Sequence, residues 1–240
     1  GVWEIYIQGI DAICHGQRYK VQITRQGKIF DRIPLYAHSV IQDPVTNEFC
    51  SRVWSPKRPF RWTDGGYGRR KPTSLYIYES HVGMAQEKPG IGTYREFADI
   101  TLKRILDAGY NTIQLMGVMQ HPYYASFGYQ VSNFFAPASW FGDPDDLKYL
   151  VNKAHEMGLF VLLDVVHSHA AANSADGINL FDGTENQFFE QDDHPAWGTK
   201  LFNYSKHQVL HFLLSNLKFW QEEYHFDGFR FDGVTSMIYQ

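Results

Sequence analysis

Cysteine is nearly absent: Cys14 and Cys50 are the only two among 240 residues. No disulfide framework is therefore expected, and reduced thiols are the natural state. An excess of one charge is missing too. Lysine and arginine number 22 against 26 aspartates and glutamates, a formal net charge of -4, and no like-charged block marks a tail. Nothing here recommends a nucleic-acid partner. Long apolar runs are also lacking, since the longest, Leu159 to Val166, carries Asp164 within it, so no membrane span is expected. No basic segment leading into an apolar core opens the chain, so no signal peptide is visible; it is the scarcity of cysteine that suggests a cytoplasmic protein.

What is present is a chain that is 44% apolar and 16% aromatic, enough to bury a core in one or two domains. Flat rings suit sugar-binding clefts, although core packing accounts for most of them. The chain opens without methionine on Gly1-Val2-Trp3-Glu4-Ile5-Tyr6-Ile7, an alternation that predicts a strand. Tyr19 to Thr24 alternates again, and Gln26-Gly27 turns the chain into Lys28-Ile29-Phe30. Residues 1–54 therefore read as part of a β-sandwich. Pro56, Pro59, Pro72 and the Gly65-to-Arg70 run mark residues 55–73 as a linker or long surface loop with solvated arginines.

From Ser74 onward strands alternate with helices, the pattern of parallel βαβ units. Strands are predicted at 75–81, 112–116, 159–165 and around Phe229 to Phe231. Between them come three helices. The first starts near Arg95, with Ala98, Leu102, Ile105 and Leu106 as its stripe. The second is capped by Asp143 and Pro144 and buries Leu147, Leu150, Val151 and Ala154. The third carries Leu210, Leu213, Leu214, Leu217, Trp220 and Tyr224. Residues 170–203 read as a long irregular excursion, the kind that walls a cleft.

The last strand is expected to be short and buried. If its side chains alternate, Phe229 and Phe231 share one face while Arg230 and Asp232 share the other. A guanidinium that close favours the ionised carboxylate, which suits a nucleophile and not an acid. A structural ion pair at a strand end would leave the same pattern.

The segment Gly228-Phe229-Arg230-Phe231-Asp232-Gly233-Val234, followed by Thr235-Ser236-Met237, resembles the nucleophile segment of the α-amylase superfamily of glycoside hydrolases, in the version of glycogen and starch branching enzymes. Asp164-Val165-Val166-His167-Ser168-His169 resembles that superfamily's Asp-Val-Val-x-Asn-His motif. The likeness runs from Leu75 to Tyr239. It implies an α/β fold: the first four strands of a (β/α)₈ TIM barrel over residues 74–240, preceded by the end of a carbohydrate-binding-like β-sandwich.

The resemblance further implies that Asp232 attacks the anomeric carbon and forms a covalent glycosyl-enzyme. It makes Arg230 the partner that orients Asp232, with Asp164 bonded to that arginine; His169 would donate to a sugar hydroxyl and Tyr129 would stack on the same sugar. Each also has a plain structural reading, and His81 is read as structural. The resemblance places the acid glutamate on the next barrel strand, beyond Gln240, and no glutamate in this chain, Glu79 and Glu223 included, fits its motif. The chain is accordingly expected to be a piece of a longer protein, without turnover alone. Ser168 stands where calcium-binding members carry asparagine, so no metal and no cofactor are expected. The implied partner is an α-glucan and the implied reaction is branching, in the cytoplasm or, for a plant or alga, the plastid. Two rivals are a hydrolytic relative of the isoamylase or amylase type and a non-catalytic glucan-binding fragment.

Overall fold

The computed structural model describes residues 5–9, 12–65, 68, 72–185 and 187–239. The strand predicted at the start falls partly on residues 1–4, outside this set. Its remainder, Ile5 to Ile7, is exposed and not in a strand. Part of the glycine-arginine run, residues 66–67 and 69–70, also lies outside the described residues.

Strands β1 (Arg18–Tyr19), β2 (Val21–Arg25), β3 (Lys28–Arg32), β4 (Val40–Gln42) and β5 (Phe49–Arg52) come first. β2 and β3 form a hairpin around Gln26-Gly27, both in left-handed backbone, as the turn signal requires. β1, β5 and β4 form a separate antiparallel sheet. Ile33, Ala37, Val40 and Phe49 pack with Ala136 in a small cluster of their own. Arg52 bonds Asp143 and the Trp54 indole donates to Asp145, so this region grips the start of a later helix.

After it come β6 (Ile77–His81), α1 (Tyr94–Glu96), a π-helical turn at Phe97–Thr101, and α2 (Leu102–Asp107). A Thr93/Glu96 capping box opens α1: each side chain accepts the other's backbone N–H, at 3.2 and 3.1 Å. Ala98, Leu102 and Ile105 are buried as expected, but Leu106 is not, being 39% exposed. It lies about 100° round the helix from Ile105, which takes the inward place.

β7 (Thr112–Met116), β8 (Met119–Gln120) and the fully buried β9 (Asn133–Pro137) lead into α3 (Pro144–Glu156). Leu147, Leu150, Val151 and Ala154 are all buried on α3, as its stripe predicted. β10 (Phe160–Val165) follows. The stretch expected to be irregular is partly ordered: β11 (His169–Ala170), β12 (Phe189–Asp193) and β13 (Lys200–Phe202) make an antiparallel sheet in the order β11-β13-β12.

Next come α4 (His207–Tyr224), β14 (Gly228–Phe231) and α5 (Val234–Ile238). On α4 the inward stripe is Val209, Phe212, Leu213, Asn216, Trp220 and Tyr224, while Leu210 and Leu214 face outward. Asn216 explains the rotation. Its amide donates to the Phe134 carbonyl at 2.7 Å and its carbonyl oxygen meets His167 Nε2 at 2.9 Å, so a polar residue belongs inside.

Four strands form one parallel sheet in the order β14-β10-β7-β6. Parallel pairing requires crossovers, which the intervening helices supply. β14 is an edge strand and is half-buried, with Phe231 37% exposed, rather than buried as expected. The main core lies between this sheet and the helices, around Phe134, Leu150, Val161, Leu163 and Trp220.

Candidate active site

Adjacent parallel strands place the charged residues. In the β10/β14 register Asp164 stands opposite Arg230, so both project from the same face. Arg230 Nη1 donates to Asp164 Oδ1 at 2.9 Å, to Asp164 Oδ2 at 3.0 Å and to Asp232 Oδ1 at 2.7 Å. One nitrogen thus joins two carboxylates. The Asp164 side chain is 1% exposed, that of Arg230 40% and that of Asp232 18%. The deeper carboxylate is the structural anchor, and the shallower one is reachable.

Burial raises the Asp164 pKa, and the bonds from Arg230 counter that only in part. The Tyr129 hydroxyl donates to Asp164 Oδ2 at 3.0 Å. Burial, with the charge of Asp164 second, drives its pKa well above the usual value, so it stays a neutral donor. Tyr129 is held here by glycine. Gly128 has φ +89, and a Cβ on it would stand 2.1 Å from the Gly117 Cα. Two backbones touch there, and only glycine permits it. Both glycines were visible in the sequence, but their contact joins separate loops.

His169 opens β11, a few residues beyond the end of β10, and is 2% exposed. Its pKa falls to about 4, chiefly through burial; the Asp232 carboxylate opposes the fall and His194 adds to it. Its ring is therefore neutral near pH 7, and its Nδ1 has no hydrogen-bond partner among the described residues. His81 is buried as well, with edge contacts to Tyr124 and Phe141. Ser168 packs against Gly233: a Cβ there would meet its Oγ at 2.5 Å, and Gly233 has φ +62. The residue after Asp232 is thus fixed by a close approach to the preceding strand's loop. Among the described residues no group of three or more His, Cys, Asp or Glu side chains is placed to hold a metal ion, and no helix is long and apolar enough to cross a membrane.

All five residues singled out in the sequence lie at this end of the sheet. Asp164, Arg230, Asp232 and Tyr129 form one bonded set, and His169 is close enough to feel the charge of Asp232. Gly233 was legible as the turn that closes the last strand, whereas the contacts made by Asn216 and between Gly117 and Gly128 had no sequence signal of their own.

Residues 98–199 match the family model of the alpha-amylase catalytic domain. Across 247 aligned positions and all of its length, the chain is 50% identical to a protein of Rhizophagus irregularis named 1,4-alpha-glucan-branching enzyme. The chain belongs to the alpha-amylase family. A second relative of this alpha-amylase family member, from Emericella nidulans and of the same name, is 51% identical. An Arabidopsis thaliana relative named 1,4-alpha-glucan-branching enzyme 2-2, chloroplastic/amyloplastic, is 46% identical. The chain spans 36%, 36% and 31% of the length of these three. The fold is that of the catalytic module of SpuA, a multi-modular glycogen-degrading pneumococcal virulence factor: TM-score 0.74 at 24% identity, over 92% of this chain and 38% of that one.

Proposed function

We propose that this chain is part of a 1,4-α-glucan branching enzyme, cleaving an α-1,4 link and passing the glycosyl group to a 6-hydroxyl of another glucan strand. The observation that carries the reading is the Arg230 bridge, which leaves Asp232 half-buried, fixed and open to a ligand at the end of a parallel strand. In this reading Asp232 attacks the anomeric carbon, Arg230 and Asp164 orient it, Tyr129 stacks on the sugar and His169 donates to one of its hydroxyls. The leaving oxygen needs a proton from a second carboxyl about 5 Å from the nucleophile. Glu79, which accepts from Gln114, and Glu223, which pairs with Lys148, do not fit the motif of that acid. A glutamate on another strand of the whole protein supplies that proton.

The four-stranded sheet is, in this reading, the first half of a (β/α)₈ barrel over residues 74–240, with chemistry at the C-terminal strand ends. Residues 1–54 form the end of a β-sandwich and residues 55–73 the connection. The substrate is an α-glucan, with neither nucleic acid nor membrane as partner. A cytoplasmic site fits the low cysteine content, and a plastid would fit a plant protein.

The full-length protein incubated with amylose is expected to lose iodine colour while reducing ends stay constant, because each cleaved end is re-used. A rise in reducing ends that matches the loss of colour would instead identify a hydrolase.

A further inference from the structure

Beside this cluster lies an aromatic pair that the chemistry above leaves unused. Residues 194–199 form a tight turn between β12 and β13, in which His194 N–H donates to the Thr199 carbonyl at 2.7 Å and Gly198 N–H to the His194 carbonyl at 3.1 Å. Within it the Trp197 indole stacks on the His194 imidazole, with centroids 3.9 Å apart and planes 7° from parallel. The imidazole cannot swing freely. Ala196 N–H donates to its Nδ1 at 3.2 Å, which leaves the proton on Nε2, and Nε2 donates to Ser236 Oγ at 3.2 Å. Ser236 belongs to α5, the helix that follows Asp232 directly. The turn is thereby tied to the backbone that carries Asp232.

Trp197 also reaches the site itself. Its ring centroid is 5.0 Å from that of His169, and its Cζ3 is 4.0 Å from where a Cβ on Gly233 would stand. Yet the residue is 48% exposed. A large apolar ring, stiffened from behind and left open beside a nucleophile candidate, has the form of a binding surface, not of core. Pyranose rings present apolar C–H faces that pack on such a plane.

We propose that Trp197, backed by His194, is a stacking platform for a glucosyl unit of the α-glucan next to the unit that Asp232 attacks. His194 and Ser236 act through Trp197 as positioning residues. The inference rests on the α-glucan reading given above and adds a contact to it.

The test uses the full-length protein with maltoheptaose and amylose. Trp197→Ala should weaken maltoheptaose binding about tenfold, as the loss of one good aromatic contact does. It should raise the KM for amylose with less effect on kcat, and leave the urea midpoint in place. Trp197→Phe should keep most of the affinity. Unchanged binding by both variants, beside a wild-type protein that binds maltoheptaose, would overturn the platform and leave the glucan reading intact. Equal loss of affinity and of urea stability in both variants would also overturn it, by making Trp197 a packing residue. A wild-type protein that neither binds maltoheptaose nor acts on amylose would remove the glucan reading and the platform with it. If Trp197→Ala does not fold, quenching of indole fluorescence by maltoheptaose, present in wild type and lost in Trp197→Phe, decides in favour; quenching that persists in Trp197→Phe decides against.

Discussion

A single guanidinium nitrogen serving two carboxylates sets a definite charge balance at the residue scale. Asp164 is almost wholly enclosed, so its charge depends on Arg230. Removing one partner of a buried pair strands the other. Arg230→Met should therefore destabilise the protein by about 3 kcal/mol, read as a lower urea midpoint. Asp164→Asn should do much less, since Arg230 keeps Asp232. A loss below about 1 kcal/mol in Arg230→Met would mean that Asp164 is already protonated, and the ion-pair account would be lost. Gly128→Ala is a second residue-scale case. Its methyl would drive into Gly117 at 2.1 Å, and the loop must move, taking Tyr129 away from Asp164. A destabilisation of about 2 kcal/mol or more is expected, from positive φ and backbone contact together. Its check is urea unfolding together with the glucan binding proposed above, both of which should suffer.

Elements show where the sequence could be read and where it could not. Alternation along Phe229 to Asp232 was enough to set Arg230 beside Asp232, because strand periodicity is a local property. The α3 stripe was legible for the same reason. α4 was misjudged at Leu210 and Leu214 because leucine looks more buried than asparagine, while the needs of His167 and the Phe134 carbonyl arise on other elements. The β11-β13-β12 sheet and the Gly117–Gly128 approach are likewise made by pairing across distant loops, and the Tyr129–Asp164 bond crosses 35 residues. One consequence can be measured. Leu214→Lys should shift stability by less than about 0.5 kcal/mol, as exposed substitutions do. Asn216→Leu should lose about 2 kcal/mol by stranding His167. Reversal of that order in urea unfolding would put the α4 stripe back where its leucines suggest.

Across the whole molecule, histidines at the two ends of the parallel sheet respond to pH in opposite directions. Near the Asp232 end, burial is the main cause that lowers His121, His167 and His169 to about 4 each. The unfolded chain binds these protons near pH 6.5, so between those limits it holds more of them, and stability falls as pH drops, by up to about 1.4 kcal/mol per unit for each ring. At the other end His155 lies between Asp64 and Asp227, at 3.1 and 2.9 Å, and His225 meets Asp64 at 2.7 Å under a stacked Trp62. Asp227 also accepts from Val161 N–H at the start of β10. Burial opposes a charge on His155, but the two carboxylates outweigh it and raise its pKa. Asp64, though burial works to raise it, is held below the usual range by both histidines. The His155 contribution is thus fully present below about pH 6.5 and is lost as pH rises through its raised folded pKa. The Asp64 contribution is present above about 3.9 and is lost only as pH falls below that. This clamp joins residues 62–64, α3 and the approach to β14, so its alkaline loss loosens the segment before the sheet while the Asp232 end gains. The urea midpoint should climb from pH 4.5 to about 6.5, and its further gain toward pH 8.5 should be cut back by the clamp. His155→Gln should lower the midpoint at pH 6 and leave it nearly unchanged at pH 8.5, with the acid limb intact; an equal drop at both pH values would show that the charge on His155 contributes nothing.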